Sequence, residues 1–182
     1  MNMQDENYSS DYVNTADAYL IENDIGETTL PKLYMDDLKV GQVFYSSEYY
    51  VSAEEITEFS TRYDPQPFHM DDRLAKDSIF RGLAASGWHT VSITMNLLVK
   101  CLPLAHGIIG KGVENITWPR PTRPGDVLRI KAKIIDIDIS PARPDRALMR
   151  IHISTIGQDN KIRQELLGKL LIFKGCAVSK AM

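Results

Sequence analysis

Residues 85–101 restrict the fold more than any other segment. They read ASGWHTVSITMNLLVKC, with no Asp, Glu, Lys or Arg before Lys100. Trp88, Val91 and Met95 recur at three- and four-residue steps, the spacing of an α-helix. The other positions are also apolar or neutral. A helix of this kind is typically buried rather than laid on a surface. We therefore expect the rest of the chain to wrap around it.

Four strand-like runs follow this helix, and each is bounded by Pro, Gly, Asp or Asn. In the second run the apolar positions change phase between Ile134 and Ile135. Because side chains alternate along a strand, this slip predicts a bulge or sharp coil. The sequence thus predicts an α+β fold in which a coiled antiparallel sheet wraps around one long buried helix. The runs are residues 108–121, 127–140, 147–157 and 163–175.

A shorter helix is predicted upstream, beginning at a capping box formed by Ser52 and Glu55. The segment YDPQPFHMD should end this helix, because its two prolines lack amide donors and favour extended geometry in the residue before them. Asp64 and His69 are therefore expected on a rigid, non-helical loop, with little freedom to lose when they act together.

Composition favours one globular domain, since the chain has 182 residues of which 43% are hydrophobic and 25% are charged. The two cysteines match neither a redox pair nor a disulfide framework. No apolar run approaches membrane-spanning length, and the acidic start differs from a secretory signal. We therefore expect a cytoplasmic protein with no membrane partner. No nucleic-acid partner is expected either, because basic residues do not cluster.

The acidic residues are concentrated at the start of the chain, where the first 40 residues hold nine Asp or Glu against two Lys. Residues 1–36 are interpreted as an extension that is partly disordered or packed on a partner. Residues 37–182 form the predicted folded domain, which is mildly basic. That balance suits a small molecule bearing phosphate groups.

The order of these motifs resembles the hot dog fold. YDPQPFHMD followed by FRGLAASGWHT is similar to the MaoC-like dehydratases and (R)-specific enoyl-CoA hydratases, and WPRPTRPGDVL is similar to the strand-turn element of that family. The resemblance spans residues 37–174. Gln66 stands where the better characterised hydratases have Asn, and Ser86 with Gly87 stands where they have His-Gly. These differences bear on the substrate more than on the chemistry.

The resemblance implies a hydratase or dehydratase that acts reversibly on an enoyl or 3-hydroxyacyl thioester and gives an (R)-3-hydroxyacyl product. Such a reaction needs a base, an acid and stabilisation of an enolate oxygen. Asp64 and His69 can supply the acid and the base. The N–H of Gly87 can stabilise the oxygen, because it lies at the positive end of a helix and has no Cβ in the way.

The expected partners are an acyl thioester, of coenzyme A or acyl carrier protein, and a second copy of the chain. A homodimer would cover the open edges of the sheet and place the substrate along the subunit boundary. No cofactor and no metal are expected. The acyl chain itself is not specified by the sequence.

Two other functions remain open. A hot dog thioesterase would use a carboxylate to attack or activate water at the carbonyl and would need no Asp/His pair at this spacing. A non-catalytic acyl-thioester-binding module would keep the fold without the chemistry. Without the resemblance the simpler interpretation of each residue is favoured, because an Asp at a helix end is most often a cap and a loop His is most often a surface residue. Asp64 would then be a helix cap and His69 a surface histidine.

Other polar residues have simpler interpretations. His89 is predicted to be a hydrogen-bonded core histidine, and His152 to be solvated. A metal site of His69, Asp71, Asp72 and His89 would lack a spaced ligand pair on one element, and the two aspartates are expected to cap the following helix. Candidate contacts for coenzyme A phosphates are Arg81, Lys111, Arg120 and Arg123.

Overall fold

The structure is a computed structural model that describes residues 32–175 and the short strand pairs 21–22 and 28–29. The acidic extension therefore lies largely outside the described residues, as does Cys176. The strands are β1 (Ile21–Glu22), β2 (Thr28–Thr29), β3 (Val43–Tyr45), β4 (Tyr49–Tyr50), β5 (Ile109–Thr117), β6 (Val127–Ile139), β7 (Arg146–Ile156) and β8 (Ile162–Phe173). The α-helices are α1 (Ala53–Tyr63), α2 (Pro67–Met70), α3 (Asp72–Lys76) and α4 (Gly87–Cys101), and a 3₁₀ helix spans Met35–Asp37.

The main sheet is antiparallel, with strand order β3-β6-β7-β8-β5. Strand β4 also pairs with β6, whereas β1 and β2 pair with each other. The four strand-like runs predicted after the long helix correspond to β5 to β8. The α+β fold class with a coiled antiparallel sheet is thus confirmed. Within the described chain, no helix is long and apolar enough to cross a membrane.

The bulge predicted in β6 is confirmed. Ile134 pairs with Ile151 and Asp136 with Arg150, so that the ladder skips Ile135. Ile134 is fully buried, and Ile135 is exposed on the other face. The extra residue reverses the phase of the side chains along the strand, which explains the change in the apolar pattern.

Helix α4 packs against the sheet along one face only. Its buried residues include Ile93, Leu97 and Leu98. The opposite side carries Trp88, Met95 and Val99, which are 60%, 45% and 53% exposed. The expectation that this helix is buried nearly all round is therefore wrong for a single chain, because the sheet reaches around one side of it. We call Trp88, Met95 and Val99 the exposed apolar stripe.

The segment with the two prolines also differs from its prediction. Helix α1 ends at Tyr63 as expected, and Ser52 caps its start by accepting the N–H of Glu55 at 3.1 Å. His69, however, lies in the helical turn α2 rather than on a non-helical loop. Pro67 is the first residue of that turn, where its fixed φ suits a helix and its missing N–H would have no partner.

A buried ion pair fixes the turn before β6. Arg163 on β8 binds both carboxylate oxygens of Asp126, at 3.0 and 3.2 Å, and both side chains are buried. Asp126 also accepts the N–H of Arg123 at 3.0 Å. Burial raises the pKa of Asp126, but these hydrogen bonds outweigh it and lower the pKa below its usual range.

Removing the arginine should therefore destabilise the fold. We expect Arg163→Ala to lower the free energy of unfolding by about 3–5 kcal/mol, since Asp126 would remain buried without its partner. Chemical denaturation at neutral pH measures this loss. Arg62→Ala is the control, because Arg62 pairs with Glu58 on the surface and such pairs contribute about 1 kcal/mol or less. Equal losses in the two variants would contradict the assignment.

Candidate active site

The two residues predicted to act as acid and base lie side by side. Asp64 is the C-cap of α1, and its N–H donates to the carbonyl of Ser60 at 3.0 Å. His69 lies one short turn later in α2. Its Nε2 is 3.5 Å from Oδ2 of Asp64. Both side chains line a cavity of about 420 Å³.

The orientation of His69 is set by a backbone carbonyl. Its Nδ1 lies 2.7 Å from the carbonyl oxygen of Ala84. Because a carbonyl only accepts, we assign the hydrogen of the neutral ring to Nδ1. The lone pair of Nε2 then faces Asp64. His69 is buried, and the rings of Phe68 and Phe80 lie around it at centroid distances of 4.6 and 5.9 Å. Neutral His69 can therefore take a proton at Nε2.

Asp64 is held as a carboxylate by two neutral donors. The hydroxyl of Ser86 donates to Oδ2 at 2.6 Å, and the amide of Gln66 donates to Oδ1 at 2.7 Å. Burial raises the pKa of Asp64, but these two hydrogen bonds and the nearby His69 more than compensate. Its pKa therefore lies below the usual range, and the side chain is charged at neutral pH.

Ser86 connects this carboxylate to the start of α4. It is the N-cap, where its oxygen accepts the N–H of Trp88 at 3.2 Å while its hydroxyl donates to Asp64. Sequence reasoning noted Ser86 only as a departure from the family pattern. The available signal was its type and place, because serine before the first residue of a helix is a strong N-cap.

Gly87 is the first residue of α4 and lines the same cavity. Within residues 32–175 its N–H has no hydrogen-bond partner, as expected at the first turn of a helix. A Cβ at this position would lie 2.7 Å from Cε2 of Trp118. Glycine is thus required by the packing of an indole ring, which sequence reasoning missed. The structure brings Asp64, His69 and Gly87 together, and their catalytic roles remain predictions.

The two other histidines considered have structural surroundings. His89 is buried, stacks on Phe59 with a centroid distance of 4.6 Å, and has Nε2 3.2 Å from Glu55. Burial lowers the pKa of His89, and Glu55 partly offsets this effect. The prediction of a hydrogen-bonded core histidine is confirmed. His152 points away from the core as expected, and it pairs with Glu165 at 3.6 Å.

The acidic residues after His69 stabilise local structure. Asp71 caps α3 by accepting the N–H groups of Arg73 and Leu74 at 2.7 and 3.3 Å, as predicted. Asp72 begins α3 and accepts the N–H of Leu83 at 2.9 Å. Across the part of the chain that the structure describes, no group of three His, Cys, Asp or Glu side chains is arranged to hold a metal.

Two of the four candidate phosphate contacts, Arg120 and Arg123, have different surroundings. Arg120 lines the cavity. Arg123 instead donates to the carbonyls of Gly82 and Leu83 at 2.7 and 3.0 Å, and also to that of Phe80. Its guanidinium therefore holds the segment that leads to Ala84, whose carbonyl orients His69. This use of Arg123 in backbone contacts replaces the phosphate-binding interpretation.

Comparison with known proteins places this geometry in a family. The model of the MaoC like domain matches residues 37–148. The chain is 30% identical over 125 residues to the uncharacterized protein YdeM of Bacillus subtilis (strain 168), a match that covers 68% of this chain and 87% of that protein.

Two solved structures show the same similarity. The MaoC-like dehydratase from Rhodospirillum rubrum shares 46% identity with a TM-score of 0.77, over 79% of this chain and 98% of that one. The (R)-hydratase PhaJ1 from Pseudomonas aeruginosa has a TM-score of 0.63 at 19% identity, over 79% and 88% of the two chains, and shows the common fold. Since the family model spans more than half of the 182 residues, the chain belongs to the MaoC-like dehydratase domain family, with the hot dog fold.

Proposed function

We propose that the protein is a hydratase or dehydratase that acts reversibly on an enoyl or 3-hydroxyacyl thioester. The observation that carries this proposal is the pairing of the Asp64 carboxylate with the His69 imidazole, 3.5 Å apart, in a cavity that Gly87 also lines. Within residues 32–175 the N–H of Gly87 has no hydrogen-bond partner and is available to a ligand. These are the acid/base pair and the oxyanion donor that the reaction requires. Family membership supports the same reaction class.

The proposed hydration begins with a water molecule between Asp64 and His69. Nε2 of His69 removes one proton from the water, and Asp64 accepts a hydrogen bond from the other. The oxygen adds to C3, and the electron pair of the double bond moves through C2 to the thioester oxygen, which the N–H of Gly87 stabilises. The proton on Nε2 then passes to C2. Because one face of the substrate receives both groups, the addition is syn.

The substrate is proposed to be an acyl thioester of coenzyme A or acyl carrier protein. Four aromatic side chains and two prolines contribute an apolar wall to the cavity, which suits an acyl chain rather than a strongly charged group. The aromatic and proline residues are Phe68, Phe80, Trp88, Trp118, Pro119 and Pro121. Arg120 is the cation on this wall. A cytoplasmic location is part of the same proposal, supported by two cysteines whose spacing matches neither a redox pair nor a disulfide framework.

The alternative functions use less of this geometry. A thioesterase would need a carboxylate near the carbonyl, but not a neutral imidazole held at Nδ1. A non-catalytic module would need neither the bond from Ser86 to Asp64 nor the bond from His69 to Ala84. Release of free thiol from a saturated acyl-CoA, which has no double bond to hydrate, would favour the thioesterase over the hydratase.

We also propose that the protein is a homodimer with a two-fold axis. The exposed apolar stripe is one reason, because three large apolar side chains on one side of a helix form a surface that a partner can bury. Strand β5 lies at the edge of the sheet and exposes Ile109 and Val113, so it offers unpaired backbone groups to a partner. Trp88 belongs both to the stripe and to the cavity wall. The proposed partner therefore covers the mouth of the site.

Loss of either acid/base residue should abolish most of the activity. We expect Asp64→Asn and His69→Ala each to lower hydration of crotonyl-CoA by about a hundredfold or more, the usual contribution of a general acid or base. Loss of the enoyl absorbance measures the rate, and circular dichroism checks the fold. His152→Ala is the control, because His152 lies on the outer face of the sheet. Full activity in either site variant would refute the assignment.

Ser86 should control the pKa of Asp64. Its hydrogen bond lowers that pKa, so Ser86→Ala should move the ionisation of the Asp64 carboxyl to higher pH. Carbon-13 NMR of the Asp64 carboxyl measures this ionisation directly, whereas the acid limb of a rate profile depends on both members of the acid/base pair. Ser92→Ala is the control, because its hydroxyl donates only to the carbonyl of Trp88. An Asp64 titration that does not move in Ser86→Ala would contradict the role given to this hydrogen bond.

The dimer should dissociate when the stripe is made charged. We expect light scattering to give about twice 20.6 kDa for the natural chain and a lower mass for Met95→Lys, because burying an unpaired charge disfavours association. Hydration should fall together with the mass, since the partner covers the site. Ile79→Lys is the control, an exposed apolar residue outside the stripe. A fully active monomer would contradict the proposal.

A further inference from the structure

Trp118 is held against Gly87 by a contact and a hydrogen bond. It follows β5 directly and lines the cavity. Its indole covers the Cα of Gly87 so closely that a Cβ there would overlap three ring atoms. The indole Nε1 donates to Oε1 of Gln164 at 2.9 Å. The ring thus has both a fixed position and a fixed orientation.

Gln164 is fully buried, and its amide can point in only one direction. An indole N–H can only donate, so Gln164 must present its oxygen to Trp118. Its nitrogen then donates to the hydroxyl of Thr94 at 3.0 Å. Thr94 in turn lies 2.6 Å from the hydroxyl of Thr155 and donates to the carbonyl of Thr90 at 2.8 Å. Every member of this buried chain is hydrogen-bonded, as its burial requires.

These contacts form a closed ring. Gly87 and Thr94 both belong to α4, seven residues and about two turns apart, so they lie on the same side of the helix. Gln164 is hydrogen-bonded to both Thr94 and Trp118, and Trp118 packs against Gly87. Trp118 therefore cannot move away from the N–H of Gly87 without breaking its hydrogen bond to Gln164, which would leave the amide oxygen of a buried side chain without a partner.

The indole occupies the space beside the expected oxyanion position. Gly87 and Trp118 line the cavity side by side. In the proposed binding mode the thioester oxygen accepts the N–H of Gly87, which would bring the carbonyl carbon and the neighbouring C2 toward the part of the wall that Trp118 forms. Trp88 narrows this end of the cavity further, because its ring meets that of Trp118 edge-on at 6.0 Å. A hydrogen atom on C2 needs no extra room, whereas a methyl group there would press on the fixed ring.

We infer that Trp118, positioned by Gln164, selects enoyl thioesters without a substituent at C2. This inference rests on the proposed function and names the substrate class for that site. Trp118 is the specificity-determining residue, and Gln164 is a positioning residue that acts through it. The selectivity concerns the shape of the substrate at C2 and is separate from the length of the acyl chain.

The test compares crotonyl-CoA with 2-methylcrotonyl-CoA, using kcat/KM for each. The natural protein should favour crotonyl-CoA. Trp118→Leu should reduce this preference by about tenfold or more, the usual effect of one methyl group in a shaped pocket. Gln164→Leu keeps the indole but removes the hydrogen bond that fixes its orientation, so this variant should reduce the preference by a smaller factor. The ratio for crotonyl-CoA against a longer straight-chain enoyl-CoA should change less in both variants.

A structural role alone would not move this ratio. Thr155→Val removes a hydrogen bond from the same buried chain but leaves the bond between Gln164 and Trp118 in place, so it should lower the melting temperature and leave the ratio unchanged. If Trp118→Leu fails to fold, Trp118→Phe preserves an apolar ring of smaller size and should still reduce the preference.

The two proposals fail in different ways. One result would overturn the inference and leave the proposed function standing. In that result the natural protein hydrates crotonyl-CoA, but its preference for crotonyl-CoA over 2-methylcrotonyl-CoA is the same in Gln164→Leu and in Trp118→Leu or Trp118→Phe. Absence of hydration of any enoyl-CoA by the natural protein would overturn the proposed function and the inference with it.

Discussion

Packing of one face of α4 against the antiparallel sheet is the constraint on which the rest of the structure depends. Ile93, Leu97 and Leu98 are buried in this contact, and each such side chain contributes roughly 1.5–3 kcal/mol when it leaves water. Because the helix cannot slide along the sheet, its first turn has a fixed place. Ser86 and Gly87 occupy that turn, so the packing of the core determines where the two groups lie relative to Asp64 and Trp118.

The same contact contains a polar chain that hydrophobic burial alone would not require. Thr94, Gln164 and Thr155 are buried between helix and sheet and bonded to one another. Apolar residues of equal size would pack there without needing matched partners. What the polar atoms add is direction, since each donor must meet an acceptor. The hydrogen bond to Gln164 therefore fixes the orientation of the Trp118 indole at the wall of the cavity, which apolar packing alone would not do.

Much of the fold could be predicted from the sequence because it depends on local periodicity. The alternation in β6 predicted a bulge or sharp coil where the apolar phase changes between Ile134 and Ile135. Asp64 and His69, in contrast, became the candidate pair through the resemblance of YDPQPFHMD to the MaoC-like family. Local patterns carry no information on contacts between distant segments, such as Ser86 with Asp64 or Gln164 with Trp118. For the same reason the sequence did not predict the exposed side of α4. An uncharged composition shows that a helix face can be buried, but it does not show whether the same chain or a partner covers that face.

The electrostatics of the candidate site depend mainly on groups that do not react. Arg123 donates to the carbonyls of the segment before Ala84, and the carbonyl of Ala84 keeps the hydrogen of His69 on Nδ1. Ser86 and Gln66 donate to Asp64 and keep it charged. A carboxylate and an imidazole lone pair face one another and both accept hydrogen bonds, so neither can satisfy the other while the ring is neutral. A water molecule satisfies both at once, because it has two O–H donors, whereas a substrate hydroxyl donates to only one of them at a time. The site is thus organised before its ligand binds, and the stability of the fold offsets the free-energy cost of that organisation.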